Sequence, residues 1–118
     1  MALKEKVFLN RDNAIKLGLT ADGVPINAAT FTRVIVKLDD RNGTITTFDS
    51  TVDVNAFDFS TETAQVSDTT TGILVIKLQD AVTPPAVGTY TANLIIYDSE
   101  YTDGVHWDNP FPVEVISG

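Results

Sequence analysis

Apolar and polar residues alternate with a period of two along most of this chain, and no i, i+3, i+4, i+7 spacing survives beyond one turn. Period two is the side-chain repeat of a strand, so a helix built from these residues would show no continuous apolar stripe. Ile15, Leu17 and Leu19 share one face, opposite Lys16 and Gly18. Over Phe31 to Asp39, Val34, Val36 and Leu38 face one way and Arg33 and Lys37 the other. Gly72 to Gln79 repeats the pattern with Leu74, Ile76 and Leu78. The strongest run, Thr89 to Asp98, turns Tyr90, Ala92, Leu94 and Ile96 inward, and Val105 to Ile116 closes the chain with Phe111, Val113 and Val115.

Turn chemistry separates these runs. Asp22-Gly23 followed by Pro25 ends the first, and Pro84-Pro85 ends the run that holds Leu78. Asn42-Gly43 tolerates the positive φ of a tight reversal, so Thr44 to Phe48 is predicted to return beside Phe31–Asp39. Thr51–Val54 and Phe57–Phe59 read as short strands or one bent strand, and Ser60 to Thr71 as a polar loop or weak edge. Pro110 and Pro112 both lack an N–H on the same side, which predicts an edge position for the last strand. Seven or so strands with turns between them predict an all-β fold, a single antiparallel β-sandwich spanning 1–118. Tyr90, just after Gly88-Thr89, reads as the buried tyrosine of a sandwich corner, its hydroxyl bonded to nearby backbone. Residues 1–10 are either an N-terminal arm or a first edge strand; as an arm, Leu3, Val7 and Phe8 would dock on a neighbour's sheet edge.

Composition narrows the function. The 118 residues contain no cysteine, so disulfides, thiol catalysis and cysteine-based zinc sites are excluded, and the 43% hydrophobic content must supply the core alone. Sixteen acids against eight bases argue against a nucleic-acid surface. All eight bases and ten acids lie in the first 77 residues; the last 41 hold six acids and no base. This split predicts an acidic face or end, either a solubilising surface or a docking face for a basic partner. No apolar run is long enough to span a bilayer, and the opening residues carry no signal-peptide pattern, so neither membrane nor secretion is expected.

Chemistry-bearing motifs are sparse. His106 is the only histidine; a Ser-His-Asp arrangement would have to use it with Asp98, Asp103 or Asp108, and no G-x-S-x-G elbow accompanies it. The reading is therefore not an enzyme, with no cofactor. Asp98, Glu100 and Asp103 form a weak calcium candidate, three carboxylates and Gly104 within seven residues, but the EF-hand order is broken. Asn42-Gly43-Thr44 matches a glycosylation sequon, but the turn already accounts for Asn and Gly. Tyr97, Tyr101, His106, Trp107 and Phe111 surround the loop at 99–110, an arrangement that stacks a sugar ring, plugs the open end of a core or meets a protein partner. Tyr101 and Trp107 are the interface candidates there.

The order of segments resembles the immunoglobulin-like domains of tailed-bacteriophage virion proteins, such as the N-terminal domain of upper baseplate proteins. The residues that carry it are Ala21-Asp22-Gly23-Val24-Pro25-Ile26, Phe31-Thr32-Arg33-Val34-Ile35-Val36 and Thr71-Gly72-Ile73-Leu74-Val75-Ile76-Lys77-Leu78. Gly88-Thr89-Tyr90-Thr91-Ala92-Asn93-Leu94 and Phe111-Pro112-Val113-Glu114-Val115 complete the pattern, which covers about residues 7 to 116. The resemblance implies an immunoglobulin-like sandwich and a structural role in a virion assembled in the host cytoplasm. Its partners would be other capsid, neck or tail proteins, met in multiple symmetric copies. No fibre or receptor-binding module follows Gly118, so the expectation is an accessory or decoration subunit. The alternative is a carbohydrate-binding or adhesin-type module.

Overall fold

The computed structural model describes residues 5–117 except 22, 41, 60 and 67; the side chains of residues 21, 108 and 109 also lie outside the description. Leu3, one of the interface candidates, is therefore outside it as well. The fold is all-β, with only short 3-10 turns besides strands among the described residues, and none of its helices is long and apolar enough to cross a membrane.

The strands are β1 (Glu5–Phe8), β2 (Ile15–Leu17), β3 (Thr20–Ala21), β4 (Val24–Pro25), β5 (Phe31–Asp39) and β6 (Ile45–Asp49). They continue with β7 (Phe57–Asp58), β8 (Thr63–Val66), β9 (Thr69–Gly72), β10 (Leu74–Ile76), β11 (Gly88–Asp98) and β12 (Val105–Ile116). A five-stranded sheet runs β1-β12-β11-β5-β6, a three-stranded one β2-β10-β7, and β3-β4 and β8-β9 are separate hairpins. The alternation in β5 and β11 does what its period dictates. Antiparallel register sets Val34, Val36 and Leu38 opposite Ile96, Leu94 and Ala92, and all six are buried. Ile15, Leu74 and Ile76 from the smaller sheet and Leu78 from a 3-10 turn join the same core. The 3-10 turn at Ala28–Thr30 leads into β5, capped by the Asn27 side chain, which accepts from the Ala29 N–H.

Twelve strands among the described residues replace the seven expected, and the reasons are local. Ser60–Thr71 is mostly hairpin rather than loop: threonines suit the pleat, and Asp68 at φ 66° closes the reversal between β8 and β9. Thr51–Val54 is not a strand. The Val52 and Asp53 N–H groups both donate to the Asp49 carbonyl, and the Asp53 carboxylate accepts from Asp49 N at 3.2 Å and Val82 N at 2.9 Å. That buried carboxylate curls the chain and ties it to the segment before β11, leaving Val52 and Val54 exposed.

The sheet is also not purely antiparallel, because β1 lies parallel to β12 with Val7 beside Val115. The residues 5–8 are thus an edge strand of this same sheet and not a free arm. Val7 is 1% exposed, which removes it as an interface candidate, while Phe8 on the opposite face is 37% exposed. Consequently β12 is interior along Val113–Ile116, and Pro110 and Pro112 fall where it has no described outer neighbour, which is where missing N–H groups cost nothing. Tyr90 is buried and its hydroxyl bonds to nearby backbone as expected, donating to the Ala86 carbonyl at 2.7 Å.

Candidate functional site

The connection from β11 to β12 is built by two residues. The Asp98 carboxylate accepts from the Glu100 N–H at 2.9 Å and the Tyr101 N–H at 2.7 Å, which folds the loop back and sets the place of Tyr101. Gly104 returns the chain at φ 87°, and a Cβ there would lie 2.8 Å from the Tyr97 ring and 2.9 Å from Ile95 Cγ2, so only glycine fits. Strand β12 then enters with Val105 opposite Ile96, His106 opposite Ile95 and Trp107 opposite Leu94.

Because successive side chains alternate, Val105 and Trp107 emerge on the inner face and His106 on the outer one. Val105, Trp107 and Tyr101 border a groove of about 320 Å³ together with Phe31, Ile96, Ile26 and Asp98. Tyr101 is 52% exposed and Val105 39%, whereas Trp107 is half-buried against the core. Asp98 is the only charged side chain in the lining among the described residues, and its Oδ1 is occupied by the two loop N–H groups. The groove is a place to bury an apolar group.

The structure brings Tyr101 and Trp107 together and separates the other aromatics of the loop. Tyr97 is on the outer face, with the Arg33 guanidinium 5.0 Å above its ring, and Phe111 packs on the core. The calcium candidate gains no support: Asp98 turns to its own loop backbone, and no three His, Asp or Glu side chains among the described residues, Glu100 and Asp103 included, come together as metal ligands. Phe8 stands on β1 and is not among the groove residues. Ile26, Phe31 and Val105 had no signal of their own in the sequence, since their meeting depends on which strands pair.

One polar feature of the outer face was legible through register. The hairpin centred on Asn42-Gly43 places Asp49 opposite Ile35, two residues from Arg33. Arg33 grips Asp49 with both a 3.0 Å Nε bond and its Nη2. This hydrogen bond is the chief reason the Asp49 carboxyl is lowered to about 2, with the Thr51 N–H and hydroxyl adding to it. A depressed folded-state value contributes stability above the unfolded carboxylate range, and that stability is lost as pH falls toward 2. Since Arg33 is 40% exposed, solvent screening reduces the contribution to about 1 kcal/mol. Asp49→Asn is expected to cost that amount in urea unfolding at neutral pH and nothing once the pH approaches 2; an equal cost at both would refute the assignment.

A second cleft of about 590 Å³ lies between β6 and the segment at 82–86. Its walls include Thr46, Pro84 and the Asp53 carboxylate, which is already committed to backbone. Compared with known proteins, the chain matches no family model, no curated protein and no solved structure.

Proposed function

We propose that this chain is an immunoglobulin-like sandwich acting as a non-enzymatic accessory or decoration subunit of a tailed-bacteriophage virion, bound to capsid, neck or tail proteins in multiple symmetric copies. The observation that carries the reading is the division of strands. With β12-β11-β5-β6 in one sheet and β2-β10-β7 in the other, strands are shared out as in immunoglobulin-like sandwiches, and the Tyr90 corner sits at the start of β11 where that fold has it. The segments quoted for the phage resemblance fall on β3–β4, β5, β9–β10, β11 and β12 of this arrangement. The apolar groove beside Tyr101 supports work by protein contact, because such a surface gains most by being covered.

Quantitative mass spectrometry of purified phage particles from the source tests this. A signal stoichiometric with the shell subunit is the expected result for a decoration protein, and one equal to a few rings would place it at neck, tail or baseplate. Absence from particles would overturn the virion role.

The carbohydrate reading draws on one observation, the shared groove of Tyr101 and Trp107. A sugar site also needs several convergent hydrogen-bonding groups, and the side chains of the described lining offer just Asp98, the Tyr101 hydroxyl and the Trp107 indole N–H in an otherwise apolar wall. A sugar-dependent shift in Trp107 fluorescence, from the one tryptophan in the chain, would favour recognition of sugars over protein contact.

A further inference from the structure

We propose that the groove between Tyr101 and Trp107 takes one aliphatic or aromatic side chain from a Lys- or Arg-flanked segment of a partner protein. The proposal rests on the reading that this chain works by binding other proteins, and it names the chemistry of the partner. The volume and lining of the groove set the anchor. Ile26, Phe31, Ile96, Val105 and Trp107 offer an apolar seat, and a buried polar group there would find almost no hydrogen-bonding partner.

Charge sets the flanks. Tyr101 is borne on a loop with Asp98, Glu100 and Asp103, the latter two exposed, and residues 78–118 contain no Lys or Arg. Arg33, on the neighbouring strand, faces the outer side of the sheet and is engaged by Asp49. An acidic partner would meet unrelieved like charge, whereas a basic one is drawn in and oriented. Strand addition at this border is disfavoured, because Pro110 and Pro112 interrupt the donors of β12 where it lacks a described outer neighbour. Recognition therefore falls to a side chain inserted beside an acidic rim.

The test is selection of an unbiased library of short peptides on the full chain, followed by titration of individual enriched peptides against Trp107 fluorescence. Enrichment of peptides with an apolar anchor next to Lys or Arg is expected, with a saturable blue shift of the Trp107 emission. Their affinity is expected to fall at least about tenfold in Tyr101→Ser and to weaken with salt. Glu100→Lys with Asp103→Lys, both on exposed positions, is expected to weaken binding comparably at unchanged melting temperature and keeps the test valid if Tyr101→Ser misfolds. No enrichment, enrichment of acidic or uncharged peptides, or binding indifferent to these variants would overturn the proposal. Particle association scored separately keeps the two readings apart. A chain found in particles with an inert groove refutes only the groove, and a peptide-binding chain absent from particles refutes only the virion role.

Discussion

Val7→Asp is expected to remove roughly 3–5 kcal/mol of stability, the cost of a carboxylate buried without a partner. Val7 sits on a four-residue edge strand, where a charge would ordinarily be harmless, yet it is 1% exposed. Parallel pairing with β12 places it beside Val115, itself 1% exposed, and both belong to the single core cluster. Domains of this size hold about 5–15 kcal/mol in all, so the variant should melt some 15 °C lower, at about 4 °C per kcal/mol, or not fold. Lys6→Gln on the exposed face of the same strand, which sets no like charge opposite Glu114, is the control and should change little. Thermal unfolding followed by circular dichroism decides it: a near-native melt for Val7→Asp would mean that the segment leaves the sheet in solution and is free to act as an arm.

Gly72→Ala is expected to cost roughly 1–3 kcal/mol, although glycine here has no unusual backbone angle. The Asn27 Oδ1 accepts from the Gly72 N–H at 3.1 Å and the Ala29 N–H at 3.0 Å, joining the end of β9 to the 3-10 turn that leads into β5. A Cβ on residue 72 would lie 2.4 Å from that oxygen and 3.1 Å from Ala29 N. The amide must swing away, and two N–H groups lose their acceptor. Lower chain entropy in the unfolded alanine variant offsets about 0.4–1 kcal/mol of this. Because both substitutions sever the same bonds, Gly72→Ala should cost little when added to Asn27→Ala. Strict additivity in urea titrations of the two single variants and the double variant would show that the amide bridge is not what glycine protects.

Legibility followed the range of the interaction. The period of two in Phe31–Asp39 and Thr89–Asp98 marked β5 and β11 closely, since one face of each run must be buried and a slip of one residue would expose it. Asn42-Gly43 marked the reversal between β5 and β6, with Gly43 at φ 91°, and Tyr90 read as buried with its hydroxyl bonded to backbone, as it is. Thr51–Val54 misled because alternating valines there are exposed, and the buried Asp53 carboxylate dictates a turn that hydrophobic patterning does not register. Thr63–Gly72 read as a loop or weak edge because a polar, threonine-rich hairpin carries only the weak apolar signal of Ala64 and Val66.

The candidate site divides in the same way. Tyr101, Trp107 and the acids around them were visible as neighbours along the chain, but whether those acids would gather round a cation or flank an apolar groove was not. The groove exists because Ile26 and Phe31 come to lie against Val105 and Trp107 from about 75–80 positions earlier in the chain. By itself the sequence determined that the chain makes sheets, which side of each long strand is buried, and where Gly23 and Gly43 turn the chain. Each of those depends on residues only a few positions apart. The parallel seat of β1 on β12, the burial of Val7, the Asn27–Gly72 bridge and the groove were decided only by the tertiary structure. They join residues from 45 to more than 100 positions apart, and such pairings are selected by the free energy of closing the whole core rather than by any local preference.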